Sequence, residues 1–313
     1  MLRSNHKTTH LSIVERTKIE IWCKQGVSIS EIARRLSRSK STIWNELHRY
    51  KNTELYRAER AHARAGNTKQ RCRKPSKADN PDLMQDIERL IKRRWSPDII
   101  AHALGKVISH TTIYTIIRTI RREWRKYLIY QKKTKYHKGV TGKHMIPNRT
   151  DISIRPRVQF GDYEADTVIS SREGKSCLGV FVERTTKLYK IAKMPDKSSK
   201  SMTDGTLLAL RGLPVNSITY DNGTENSDHW ITNMLLGCAS YFCRAYRSGD
   251  KGLVENRNKI LRQFLSKKTN FDLISESELI RIENEINERP MKCLNWMSPK
   301  QAFINALSFG LQL

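Results

Sequence analysis

Long apolar runs are missing from this chain of 313 residues. No stretch approaches the ~20 consecutive apolar residues of a membrane-spanning helix, so no membrane association is expected. The opening MLRSNHKTTH lacks the apolar centre of a secretory signal. Cysteine is scarce. The six present (Cys23, Cys72, Cys177, Cys238, Cys243, Cys293) include no Cys-x-x-Cys pair, which removes the common zinc and redox spacings. Only Cys238 and Cys243 lie close, with no histidine cluster beside them, and reduced thiols in a cytoplasm are the expectation. Above all, acid is short: 31 Asp and Glu face 58 Lys and Arg, a formal charge of +27. The deficit is uneven. Residues 1–150 carry 35 Lys and Arg against 12 Asp and Glu, leaving 23 against 19 for the rest. A basic front half before a near-balanced rear half points to a polyanion-binding region ahead of a compact domain. The length allows two or three domains.

Residues 11–50 divide into three helical segments. Ile13, Ile19, Ile21 and Trp22 are the apolar positions of the first, which Gly26 ends. Ser28 with Glu31 fits a capping box for the second, whose inward positions are Ile32, Ala33 and Leu36. Ser39 caps the third, with Ile43, Trp44 and Leu47 inward. Helix, tight turn and helix with a small residue at the contact is the helix-turn-helix pattern. It places Lys40, Ser41, Thr42 and Asn45 at the groove-facing start of the recognition helix, with Arg34, Arg35 and Arg38 beside them. A basic, helix-prone linker follows. Residues 82–120 repeat the layout: Leu83, Ile87, Leu90 and Ile91 face inward, Ser96-Pro97 starts a helix, and Ser109-His110-Thr111-Thr112 opens another. His110 reads as a polar contact at that helix start. Residues 121–150 are basic with little periodicity, and Tyr127, Tyr130 and Tyr136 are candidates for stacking on unpaired bases. The expected division is 1–52 and 81–122 as helix-turn-helix units, 53–80 and 123–150 as basic linkers, and 151–313 as a compact domain.

From 151 the pattern changes to strands at 160–169, 177–184 and 188–194, then a helix, then alternating strand and helix. This predicts a mixed sheet flanked by helices, an α/β domain behind all-α units. Asp162, Glu164 and Asp166 alternate along one strand and share a face. Asp221 ends another strand at an Asp-Asn-Gly turn, and Glu255 opens an amphipathic helix. Lys259 and Arg262 follow Glu255 at i+4 and i+7, as candidate phosphate contacts. Carboxylates so placed can hold two Mg²⁺ ions roughly 3.5–4 Å apart for phosphodiester chemistry. His229 is either near such a site or a polar surface residue.

The fragments GVSISEIARRLSRSKSTIW, Trp95-Ser96-Pro97, GDYEADTV, TYDNGTEN, Gly252-x-x-Glu255-Asn256 and Arg289-Pro290…Asn295-Trp296 occur in this order. With 33 residues between Asp221 and Glu255, the chain resembles insertion-sequence transposases with a DDE core, the insertion-sequence-thirty family. The resemblance implies a ribonuclease-H-like core with Asp166, Asp221 and Glu255 as catalytic acids and metal ligands. It implies Mg²⁺ as cofactor, two ions per site, with Mn²⁺ substituting. It also implies terminal inverted repeats and target DNA as partners, a dimer or larger assembly on DNA, and a nucleoid-associated cytoplasmic location. Two departures stand out: Asn226 where the family has an aromatic, and Gly249-Asp250-Lys251-Gly252 where it has Trp-Glu-Arg-Gly. Competing readings are a catalytically silent DNA-binding regulator and an integrase-like transposase of a related group.

Overall fold

The computed structural model describes residues 10–49, 56–71, 75–128, 146–244 and 248–310. Cys72, Tyr130, Tyr136 and most of the second basic linker lie outside the described residues. The chain divides into two compact units, Met1–Asp79 and Asn80–Leu313.

The first unit holds α1 (Ile13–Lys24), α2 (Ile29–Leu36), α3 (Lys40–His48) and α4 (Ala58–Arg71). Ile19, Ile32 and Ile43 are fully buried, each stabilising by roughly 1.5–3 kcal/mol relative to exposure. Beneath them Arg16 donates to Glu46 at 2.7 Å, and the Tyr56 hydroxyl donates to the same carboxylate, joining α1 to α3. Both charged residues are buried. Ser37 adopts a left-handed conformation and turns the chain from α2 into α3. Several sequence expectations change. Ile13, Ile21 and Trp44 are exposed, because the helices turn these positions away from Ile19 and Ile43. Trp44 instead stacks on His48 one turn along, with ring centroids 4.1 Å apart. The complete capping box is at Ser12 and Glu15. At Ser28 only half of it forms, because Arg34 and Arg35 hold the Glu31 carboxylate.

The second unit begins with α5 (Pro81–Lys92), α6 (Pro97–Ala103) and α7 (His110–Thr119), then a 3₁₀ turn at Arg122–Tyr127. Ile87, Ile91, Ile100, Ile113 and Trp124 are buried here. Met84 is buried, whereas Leu83, expected inward, is only half-buried. Ser96 stands at the N-cap of α6 but its side chain makes no capping bond.

The sheet contains β1 (Asp162–Ile169), β2 (Cys177–Glu183), β3 (Tyr189–Met194), β4 (Ser217–Tyr220) and β5 (Ala239–Phe242). Its order is β3-β2-β1-β4-β5. The first three strands are antiparallel, while β4 runs parallel to β1 and β5 parallel to β4. The helices of this domain are α8 (Ser199–Leu210), α9 (His229–Leu236), α10 (Gly252–Phe264), α11 (Glu276–Asn287) and α12 (Pro299–Gly310). Alternation along β1 sends Tyr163 and Ala165 into a core with Met202, Leu210 and Tyr220. Val168 goes to the opposite core with Val254, Leu261 and Ile282. Helices thus cover both faces of a mixed sheet, in a ribonuclease-H-like layout. Gly205 lets α8 lie close on β3, since a Cβ there would stand 2.9 Å from Met194. Arg93, at the end of α5, bonds Glu285 at 2.9 Å and Glu288 at 2.7 Å, fastening the helical region to α11.

Candidate active site

The parallel pairing of β1 with β4 brings two acids side by side. Glu164 is in register with Thr219, so Asp166 and Asp221 each lie two residues further on. Asp221 is fixed by the turn it opens. The Gly223 amide (3.1 Å) and Asn226 Nδ2 (2.8 Å) both donate to its Oδ1. A Cβ on Gly223 would stand 2.3 Å from the Glu225 carboxylate, which explains the glycine of that turn. The departure at Asn226 is therefore a direct ligand of the acid: its buried amide holds the carboxylate in one rotamer.

Between the two acids stands Lys251, which sequence reasoning missed. Its ammonium is 3.1 Å from Asp166 Oδ1 and 3.3 Å from Asp221 Oδ2, and it donates to the Ala165 carbonyl at 2.9 Å. Burial pushes the Lys251 ammonium toward neutrality, but the Asp221 and Asp166 carboxylates outweigh this and raise its pKa. A cation is thus already shared by the carboxylate pair. The other oxygen of Asp166 accepts from Asn258 Nδ2 at 2.7 Å, and Asn258 in turn accepts from the Tyr189 hydroxyl. A lysine inside a turn and an asparagine on an amphipathic helix carry no periodic signal. Its place three residues after Glu255, on the same helical face, is the one signal that could have found Asn258.

Glu255 lies in the first turn of α10, exposed. It shares no hydrogen bond or ion pair with Asp166 or Asp221, and among the described residues no three acid, His or Cys side chains gather as a metal site. Two of the three expected acids are therefore brought together. Glu255 and Asn258 are neighbours on one helical face, so Glu255 sits one turn from the residue that touches Asp166. Glu164 is not a ligand of this centre. Buried, it accepts from the backbone amides of Leu253 (3.1 Å) and Val254 (3.0 Å) and pairs with Arg184 at 3.5 Å. It satisfies open donors at the start of α10 and meets the positive end of the helix dipole. Asp162 is likewise occupied, accepting from Gln159 N and Ser217 Oγ.

Lys259 is exposed, with its ammonium on Asn256 at 3.2 Å. Arg262 is a correction. Its guanidinium donates to the carbonyls of Ile169 (2.9 Å) and Ser266 (3.3 Å) and lies over the Phe271 ring, so it fastens α10 to β1 rather than standing free for phosphate. His229 is not on the surface, and its ring nitrogens bond to neither acid. It is buried between Ser240 Oγ (2.8 Å) and the Pro147 carbonyl (3.1 Å). A cleft of about 390 Å³ opens beside Glu164, with Arg155, Arg184 and Arg244 on its walls.

At the helix starts, Lys40, Ser41 and Asn45 are exposed and Thr42 half-buried. Ser39 holds Ser41 and Thr42 through its hydroxyl, and Ser109 holds Thr111 and Thr112 in the same way. His110 and Thr111 are exposed. Arg34 and Arg35 are exposed but paired with Glu31, and Arg38 is bound to Glu15 at 2.9 Å with little exposure. Among the described residues no helix is long and apolar enough to cross a membrane.

Residues 7–50 match the family described as a helix-turn-helix domain. The chain is 28% identical to the transposase InsI for insertion sequence element IS30A of Escherichia coli, over 93% of this chain and 82% of that protein. Among solved structures, the catalytic core domain of BIV integrase is similar at 16% identity, with a TM-score of 0.39, over 49% of this chain and 99% of that one. The chain is 33% identical to the transposase for insertion sequence element IS1086 of Cupriavidus metallidurans, over 96% of both proteins. On that near-complete match, following a helix-turn-helix front and a mixed-sheet core, the chain belongs to the insertion-sequence-thirty (IS30) family of transposases.

Proposed function

We propose that this transposase cuts and joins DNA strands by a two-metal phosphoryl transfer, with Asp166, Asp221 and Glu255 holding Mg²⁺. The observation that carries this reading is the ammonium of Lys251 between Asp166 and Asp221. The pair already shares one cation, and carboxylate oxygens are what hard divalent cations prefer. The donor set therefore fits the metal. When bound, the ions lower the pKa of a water or 3′-hydroxyl and stabilise the leaving oxygen, and Mn²⁺ can replace Mg²⁺.

The chain's own residues orient that centre. Asn226 and the Gly223 amide hold Asp221, Asn258 holds Asp166, and Glu164 sets where α10 begins and so where Glu255 stands. The cleft beside Glu164, where Arg155, Arg184 and Arg244 stand with Glu164 and Asp250, takes a DNA strand in this reading, and the exposed Lys259, outside that cleft, contacts phosphate. In the front half, Lys40, Ser41, Thr42 and Asn45 read the element's terminal inverted repeats. Arg34 and Arg35 contact their phosphates, and the second helix-turn-helix contributes His110, Thr111 and Thr112. The domain division at 52, 80, 122 and 150 and a dimer or larger synapse on DNA belong to the same reading.

The test is cleavage and joining of DNA carrying the element's own ends in Mg²⁺. Asp221→Asn and Glu255→Gln should each abolish both steps while end binding persists. Retained cleavage in either variant would sink the assignment of acids. A silent regulator would bind without cutting even as wild type.

A further inference from the structure

The second helix-turn-helix region contains a cavity of about 490 Å³, lined by none of the residues that the proposed function uses for catalysis or DNA contact. Its size falls within the ~300–1,000 Å³ of small-ligand clefts. It lies between the α5–α6 connection, α7 and the turn after α7, and Trp95, Pro97 and Ile117 line its apolar part. Trp95 belongs to the Trp-Ser-Pro fragment. Its ring is covered by the Arg93 guanidinium, 5.2 Å from the centroid, and its indole Nε1 is buried without an acceptor among the described residues.

Three arginines line the same cavity, and no acid does. Arg94 lies 5.1 Å over the Tyr127 ring and donates to the Lys126 carbonyl at 2.8 Å, so it steadies the wall. Its backbone is left-handed, with φ of 64°, as the close of α5 requires: the Arg94 amide bonds the Ile91 carbonyl and the Trp95 amide the Leu90 carbonyl. Arg118 and Arg125 are exposed and pair with no carboxylate among the described residues. Tyr114, 38% exposed, lies four residues before Arg118 and therefore on the same face of α7.

The cavity thus offers the exposed Tyr114 ring and guanidinium groups without a carboxylate partner among the described residues. A flat ring linked to a phosphate uses both, since bases stack on aromatic side chains and guanidinium groups bind phosphate. A base inside a duplex is stacked and paired and cannot enter such a cleft. We propose that this cleft takes one unstacked nucleotide of a DNA strand, its base against Tyr114 and its phosphate on Arg118 and Arg125. The inference rests on the DNA-binding reading of this region but not on the identity of the catalytic acids.

The experiment uses full-length protein and three probes: a short single-stranded oligonucleotide carrying 2-aminopurine, a blunt duplex of the same sequence, and AMP. Wild type should quench 2-aminopurine on binding the single strand. The double variant Tyr114→Ala, Arg118→Ala should weaken that binding about tenfold, the scale of losing one stacked base, with duplex affinity changed much less. Tyr114→Phe with Arg118→Lys should restore most of the single-strand affinity, and unchanged melting of both variants confirms their fold. Equal loss on both DNA probes would reduce these residues to general charge and overturn the proposal. Duplex binding without quenching of the single strand overturns it too, whereas binding to neither DNA overturns the reading beneath it. Displacement of the strand by AMP at equal nucleotide concentration would assign the cleft to a free nucleotide instead.

Discussion

Replacing Lys251 by methionine removes the cation between Asp166 and Asp221 while keeping most of the side chain's volume. The lysine side chain is 9% exposed, Asp166 24% and Asp221 43%. Breaking a fully buried ion pair costs about 3–5 kcal/mol. Because water reaches Asp221, that range is an upper limit here, and roughly 1–3 kcal/mol remains after screening. For a unit of this size the melting temperature should fall by about 3–10 °C in metal-free buffer. In Mn²⁺ the order of effects reverses. In wild type an incoming ion has to displace the ammonium, and in Lys251→Met it does not. The variant should therefore bind Mn²⁺ at least about tenfold more tightly by calorimetry, a gain of about 1.4 kcal/mol. Its melting temperature should also rise more steeply with added metal. Equal or weaker Mn²⁺ affinity in Lys251→Met would refute the idea that the lysine stands in the cation's place.

Three further outcomes follow from particular contacts. Glu46→Ala leaves the buried Arg16 without its partner and should destabilise the first unit by about 3–5 kcal/mol, read as loss of its melting transition near ambient temperature. Arg34 and then Arg35 hold the Glu31 carboxyl down to a pKa of about 2. Glu31→Gln should free both arginines, raise affinity for DNA in low salt and steepen the log–log salt dependence by roughly one to two; an unchanged slope would show that the freed arginines add no phosphate contact. The Asp196 carboxyl is held at about 2 by the hydroxyls of Ser198 and Ser201 and the Ser198 amide. Its folded pKa lies below the ordinary ~3.9, so its contribution is present above that value and is lost as pH falls through about 2. Asp196→Asn should flatten the decline of melting temperature over that window.

Features of the site that depend on local rules were legible in the chain. Alternation placed Asp162, Glu164 and Asp166 on one face, and the Asp-Asn-Gly turn placed Asp221 at a strand end. What escaped depends on residues distant in sequence. Lys251 meets Asp166 from 85 positions away and Asn258 from 92. Glu164 and Asp166 looked equivalent by alternation, yet one closes a helix end and the other faces the shared cation. Arg262 has helical spacing suited to a phosphate clamp, but its guanidinium meets the carbonyls of Ile169 and Ser266, which helical spacing does not reveal. In the front unit, apolar character alone overstated burial: Ile13, Ile21 and Trp44 are apolar residues on open faces. His229 was misread the other way, since a polar ring is buried readily when both nitrogens find partners.

The most direct measurement is a crystal structure of the full chain soaked in Mn²⁺, read by anomalous scattering. Manganese should appear against the carboxylates of Asp166 and Asp221, with Glu255 turned in from α10 and the Lys251 ammonium moved aside. Lys251 still wedged between the two aspartates, with manganese bound only elsewhere, would contradict the account.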